Sequence, residues 1–207
     1  MPVVLDIEAA HAVRIVGWKI TEDADALIAL LPETLAEAAR VYRLPCRQAE
    51  FAASRLCVVQ TGYASNMAYN PWGKPVVDNG YIGISHTDGF AAAIASPLLN
   101  VAIDLEYPDP RLLRTASRFL SDTEAAWCQN DVERICLIWC CKECMYKLYG
   151  RNNVEFKTEI AIEASGSQSF RGSIKNIKGI TLHRILLQGE GMPVMVWCSR
   201  TVDKLMV

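Results

Sequence analysis

Residues 12–20 read as a strand, and three helical patterns follow at 22–31, 33–43 and 46–61. Pro32 and Pro45 fall near the starts of the second and third, where proline suits a first helical turn. A polar loop spans 63–73. Apolar runs bounded by turn residues then predict strands at 74–77, 81–86 and 90–96. The turns are Asp78-Asn79-Gly80, Thr87-Asp88-Gly89 and the Pro97 to Asn100 stretch. A further strand occupies 101–106, and helices return at 110–119, 122–129 and 132–149. Ser121 and Glu124 have capping-box spacing, and Gly150 reads as a helix C-cap. The tail, 155–205, reads as three or four strands. The order is strand, helices, strands, and then the same again. It predicts two similar α+β halves in a pseudo-two-fold arrangement, 1–99 and 100–207.

Composition narrows the classes. The chain has 207 residues, 51% of them hydrophobic, which is ample for a core. No apolar run reaches the ~18 residues of a membrane span, and the N-terminus lacks a signal-peptide pattern. The net charge of −2 has no polybasic tail behind it, so nucleic acid is not an expected partner. The eight cysteines crowd a helical segment rather than framework spacings, which reads as reduced thiols in a cytoplasmic protein.

The strand at 101–106 contains an oddity. Asp104 and Glu106 are two apart, so in an extended chain they share a face, with Cα atoms about 6–7 Å apart. Like charges that close, at the end of an apolar run, repel each other and resist desolvation. A helix later in the chain, "LIWCCKECMYKLYG" (137–150), is apolar nearly all round except at Lys142, Glu143 and Lys147. Glu143 and Lys147 are four apart and share a face with Trp139. A plain surface ion pair is one reading, but the Trp, Cys, Met and Tyr neighbours argue for burial, where charges need partners. Glu143 meeting Asp104 and Glu106 would suit Mg²⁺, which takes a few carboxylate oxygens and shares its shell with substrate phosphates. Phosphate donors stand elsewhere: Ser85, His86 and Thr87 at a strand end, Lys74 in "WGKP", and Arg47 and Arg55 in "RQAEFAASR". None of these is specific alone.

Their order is specific. Arg47…Arg55, Gly73-Lys74-Pro75, Ile84-Ser85-His86-Thr87, Val101 to Glu106, Arg118-Phe119-Leu120-Ser121…Glu124 and Trp139…Lys142-Glu143…Lys147 together resemble the 4′-phosphopantetheinyl transferase superfamily, in its two-domain, surfactin-synthetase-activating type. The resemblance implies transfer of phosphopantetheine from coenzyme A to a serine of an apo acyl or peptidyl carrier protein, with release of adenosine 3′,5′-bisphosphate. It implies Mg²⁺ on Asp104, Glu106 and Glu143, the pantetheine-side phosphate on Lys147, and the 3′-phosphate on His86 and Ser85 with Arg47 adding charge. Lys74 and Pro75 would line an adenine site, and Glu143 would take the serine proton, directly or through water. A cleft between the halves and a monomeric protein complete the expectation. The sequence departs from the family pattern at Ala102, at Thr87 and at Gly150-Arg151-Asn152-Asn153. Two other classes compete. One is a non-catalytic module that binds coenzyme A or a carrier. The other is a zinc or redox site on Cys136, Cys140, Cys141 and Cys144, although a second CxxC is absent.

Overall fold

The computed structural model describes residues 3–63, 67–189 and 191–201. The chain forms two compact units, one of Met1–Ala68 with Pro75–Leu98, the other of Tyr69–Lys74 with Leu99–Val207. Each is a helical layer on an antiparallel sheet, so the fold is α+β. No helix of the described residues is long and apolar enough to cross a membrane.

The first unit contains β1 (Val3–Ala9), β2 (Val13–Lys19), α1 (Ala24–Ile28), α2 (Glu33–Arg40) and α3 (Pro45–Gln60). The two-residue strands β3 (Ala68–Tyr69) and β4 (Pro75–Val76) precede β5 (Tyr81–Thr87) and β6 (Phe90–Ser96). The sheet runs β1-β2-β6-β5. Every residue of β6, "FAAAIAS", is buried, and its Ala91, Ala93 and Ala95 join the Ala49, Ala52 and Ala53 stripe of α3 in one core. Small side chains on both surfaces bring helix and sheet close. β1 was not anticipated. Its Asp6 and Glu8 break the apolar run, and the structure uses it as a charged edge, with Asp6 paired to Arg14 of β2 at 2.9 Å.

The second unit opens with β7 (Leu99–Glu106). It continues through α4 (Arg111–Thr115), a 3₁₀ turn at Ala116–Arg118, α5 (Asp122–Cys128) and α6 (Val132–Tyr149). A one-turn helix α7 (Phe156–Glu159) leads into β8 (Ile160–Ala164), β9 (Ser169–Ile174), β10 (Ile177–Ile185) and β11 (Val194–Thr201). The sheet order is β7-β11-β10-β9-β8, and α6 lies across it. At Gly172 of β9 an added Cβ would fall 2.7 Å from Met145 of α6, so glycine is what lets the helix sit this close. The anticipated caps are present. Ser121 and Glu124 form a capping box, and Gly150 ends α6 in the left-handed conformation. The single helix expected over 110–119 is instead broken into α4 and the 3₁₀ turn.

Candidate active site

Register places the acids. In β7, Ala102 and Asp104 lie opposite Cys198 and Val196 of β11, and Ala102, Cys198 and Val196 all belong to the core under α6. Asp104 therefore points from the sheet toward the helix, and it is only 6% exposed. The Lys147 ammonium meets it there, donating to Asp104 Oδ1 at 2.6 Å and to the Ile103 carbonyl at 3.1 Å. Glu143 is one turn earlier on α6. Burial raises its carboxyl, and Asp104's charge raises it further against the pull of Lys147, to about 7. Burial works to lower the Lys147 ammonium, but Asp104's charge and hydrogen bond, helped by Glu143, carry it above the ordinary lysine value. Lys147 is thus a fixed cation, and Glu143 is poised to exchange a proton near neutrality.

Glu106 follows Asp104 two residues later, at the end of β7. Its Oε1 accepts from the Tyr107 backbone N–H at 2.9 Å. Among the described residues, no group of three or more His, Cys, Asp and Glu side chains is arranged to hold a metal ion. That holds for Asp104, Glu106 and Glu143, and equally for the cysteines of α6. The thiols of Cys140, Cys141 and Cys144 are buried, and burial raises them well above ordinary values, which keeps them protonated and unreactive.

The other lysine of α6 has a different role. Lys142 is fully buried, and its Nζ donates to Glu124 Oε2 at 2.8 Å and to the carbonyls of Phe156 and Ile160 at 2.7 Å each. Glu124 also accepts from Ser121 N at 2.7 Å and Ile162 N at 2.9 Å. One satisfied network therefore ties α5, α6, α7 and β8 together. Trp139 packs edge-on to Phe119 at 4.9 Å and stacks on Phe156 at 5.5 Å, which holds the same corner.

Lys74 is half-buried at the other end of α6. It donates to Asn100 Oδ1 at 2.7 Å and to the Leu148 carbonyl at 3.3 Å, and Asn100 Nδ2 reaches that same carbonyl at 3.0 Å. Both thus cap the C-terminal end of the helix. Burial lowers Lys74 to about 8. Gly150 makes room for this, since a Cβ there would stand 2.8 Å from Lys74 Cδ. Asn100 had no signal in the sequence beyond its place in a turn. Pro75 opens β4 and is half-buried.

The first unit brings Arg47 of α3 near His86 of β5. Glu50 Oε2 accepts from Arg47 Nη1 at 2.7 Å and stands 3.5 Å from His86 Nδ1. Ser85, one residue before, is buried at 7% exposure. Nothing in the sequence of α3 sets Glu50 apart from the other polar residues of the helix.

Residues 100–191 match the family model of the 4′-phosphopantetheinyl transferase superfamily. No curated protein matches the chain. The matched segment contains Asp104, Glu106, Lys142, Glu143 and Lys147, while Arg47, Lys74, Pro75, Ser85 and His86 lie outside it.

Proposed function

We propose that the protein transfers the 4′-phosphopantetheine group of coenzyme A to a serine of an apo acyl or peptidyl carrier protein. The observation that carries this is the Asp104–Lys147 pair with Glu143 raised to about 7 beside it, inside the segment of the transferase superfamily. In the reaction the serine Oγ attacks the phosphorus next to pantetheine. The new Oγ–P bond forms as the bond to the other phosphate breaks, and adenosine 3′,5′-bisphosphate leaves. Glu143 takes the serine proton, since a base titrating near the working pH serves best. Lys147, always charged, faces the oxygens where negative charge accumulates. Asp104 holds the Lys147 ammonium in place until phosphate competes for it.

Asp104, Glu106 and Glu143 are the residues that would hold Mg²⁺. The raised Glu143 carboxyl fits this role, because burial and then repulsion from Asp104 raise it, and a divalent cation relieves that repulsion. Bound there, Mg²⁺ would act as a Lewis acid on the pyrophosphate. Mg²⁺ draws much of its shell from water and substrate phosphates, so it needs no preformed protein cage. A structural zinc site does need four protein ligands, and the cysteines are not arranged as such a set. Ser85, His86 and Arg47 are assigned to the 3′-phosphate, and Lys74 and Pro75 to adenine, on the resemblance alone.

The test is incubation with coenzyme A, Mg²⁺ and a panel of apo carrier proteins, read by intact mass. A gain of one phosphopantetheine on a carrier, lost when Mg²⁺ is chelated, is the expected result. Tight binding of coenzyme A with no mass gain on any carrier would instead favour a non-catalytic binding module.

A further inference from the structure

The carboxylate between Arg47 and His86 has no part in the reaction as written. Arg47 and Glu50 sit one turn apart on α3, and His86 is the penultimate residue of β5, so two elements deliver three charged or titratable groups to one point. The Glu50 side chain is 12% exposed, against 58% for Arg47 and 43% for His86. The acid is thus the inner group, and the two nitrogen donors are the outer ones. A single oxygen, Oε2, faces both of them.

We propose that Glu50 is a specificity-determining residue, a built-in competitor for the 3′-phosphate that tempers the protein's preference for 3′-phosphorylated nucleotides. The proposal rests on the transferase reading above. Arg47 and His86 without an acid between them would grip any phosphate monoester. With Glu50 in place, an arriving phosphate must take Arg47 from it. The exchange is feasible because partly exposed ion pairs are weak, while a phosphate offers more oxygens and more charge. Glu50 remains behind, fixed by burial, and repels the dianion it has yielded to. The chemistry gives this a purpose. The 3′-phosphate is present on coenzyme A and on the departing adenosine 3′,5′-bisphosphate alike. Grip there is uniform binding, which slows product release without lowering the barrier.

The experiment measures dissociation constants by calorimetry for coenzyme A, dephospho-coenzyme A and adenosine 3′,5′-bisphosphate, with the wild type, Glu50→Gln and Glu50→Ala. Wild type should prefer coenzyme A to dephospho-coenzyme A. Removing the charge should widen that ratio on the order of threefold to tenfold. The gain should come from tighter coenzyme A, with the bisphosphate tightened in parallel and dephospho-coenzyme A unchanged. A ratio that stays the same or narrows in both variants overturns the role of Glu50 and leaves the transferase reading standing. A wild type that binds coenzyme A and dephospho-coenzyme A equally removes the phosphate site itself, and the proposal with it. Carrier modification in the mass assay distinguishes the two failures.

Discussion

Glu143 is where residue chemistry and stability meet. Its carboxyl titrates at 4.5 in the reference state and at about 7 in the fold. Between those values the folded protein binds more protons than the unfolded chain, so stability falls as pH rises. The contribution is fully present below about 4.5 and gone above about 7, a loss of at most ~3 kcal/mol. Glu143→Gln cannot ionise and escapes that loss. Melting curves of the two proteins should converge near pH 4, and the variant should melt higher at pH 8. Parallel melting temperatures across that range would mean that Glu143 is not held in a strained, charged state. The same substitution should slow transfer by about 10²–10⁴ at saturating Mg²⁺, the usual loss for a general base. The wild-type rate should also climb with pH through the apparent pKa of the base, a limb the variant lacks. Near-normal turnover of Glu143→Gln at high Mg²⁺ would leave it as a metal ligand only.

At the scale of elements, the helix α6 shows what a sequence reveals and what it hides. Its existence, length and C-cap were legible because the apolar residues and Gly150 agree locally. The DxE pair on β7 was legible for the same reason, since a period of two fixes which residues share a face. The two lysines flanking Glu143 could not be told apart. They are five residues apart, about 140° around the helix, and only the packing says that Lys142 faces Glu124 while Lys147 faces Asp104. The partners lie 18 and 43 residues away, on elements whose docking no local pattern encodes. The contacts of Lys74 and Glu50 were opaque likewise, because each reaches a residue of another element. The distinction is testable. Lys142→Met keeps the volume but leaves Glu124 buried without its cation, and breaking a buried pair in this way costs about 3–5 kcal/mol. Chemical denaturation should show that loss, while activity per folded molecule persists. A Lys142→Met protein of normal stability and no activity would move Lys142 into the chemistry.

The whole molecule has two cores of different quality. Of the described residues, nine of the eighteen in the first unit's buried cluster are alanines, against one, Ala102, in the second's. The second cluster is built from Ile, Leu, Phe, Met and Cys, and larger side chains remove more apolar area from water per residue. The alanine-rich unit is therefore expected to open first as denaturant rises. The cysteines report on this without any label being introduced. Cys46 is exposed and the other seven are buried. Cys46 and Cys57 lie in the first unit, while Cys128, Cys136, Cys140, Cys141, Cys144 and Cys198 lie in the second. Brief alkylation at each denaturant concentration, followed by intact mass, counts the open thiols. Native protein should carry one adduct, the first transition should add Cys57 to give two, and the second should take the count to eight. A direct passage from one adduct to eight would mean that the units unfold together. Seven adducts before two would place the weaker core in the second unit, and would reverse the argument from alanine content.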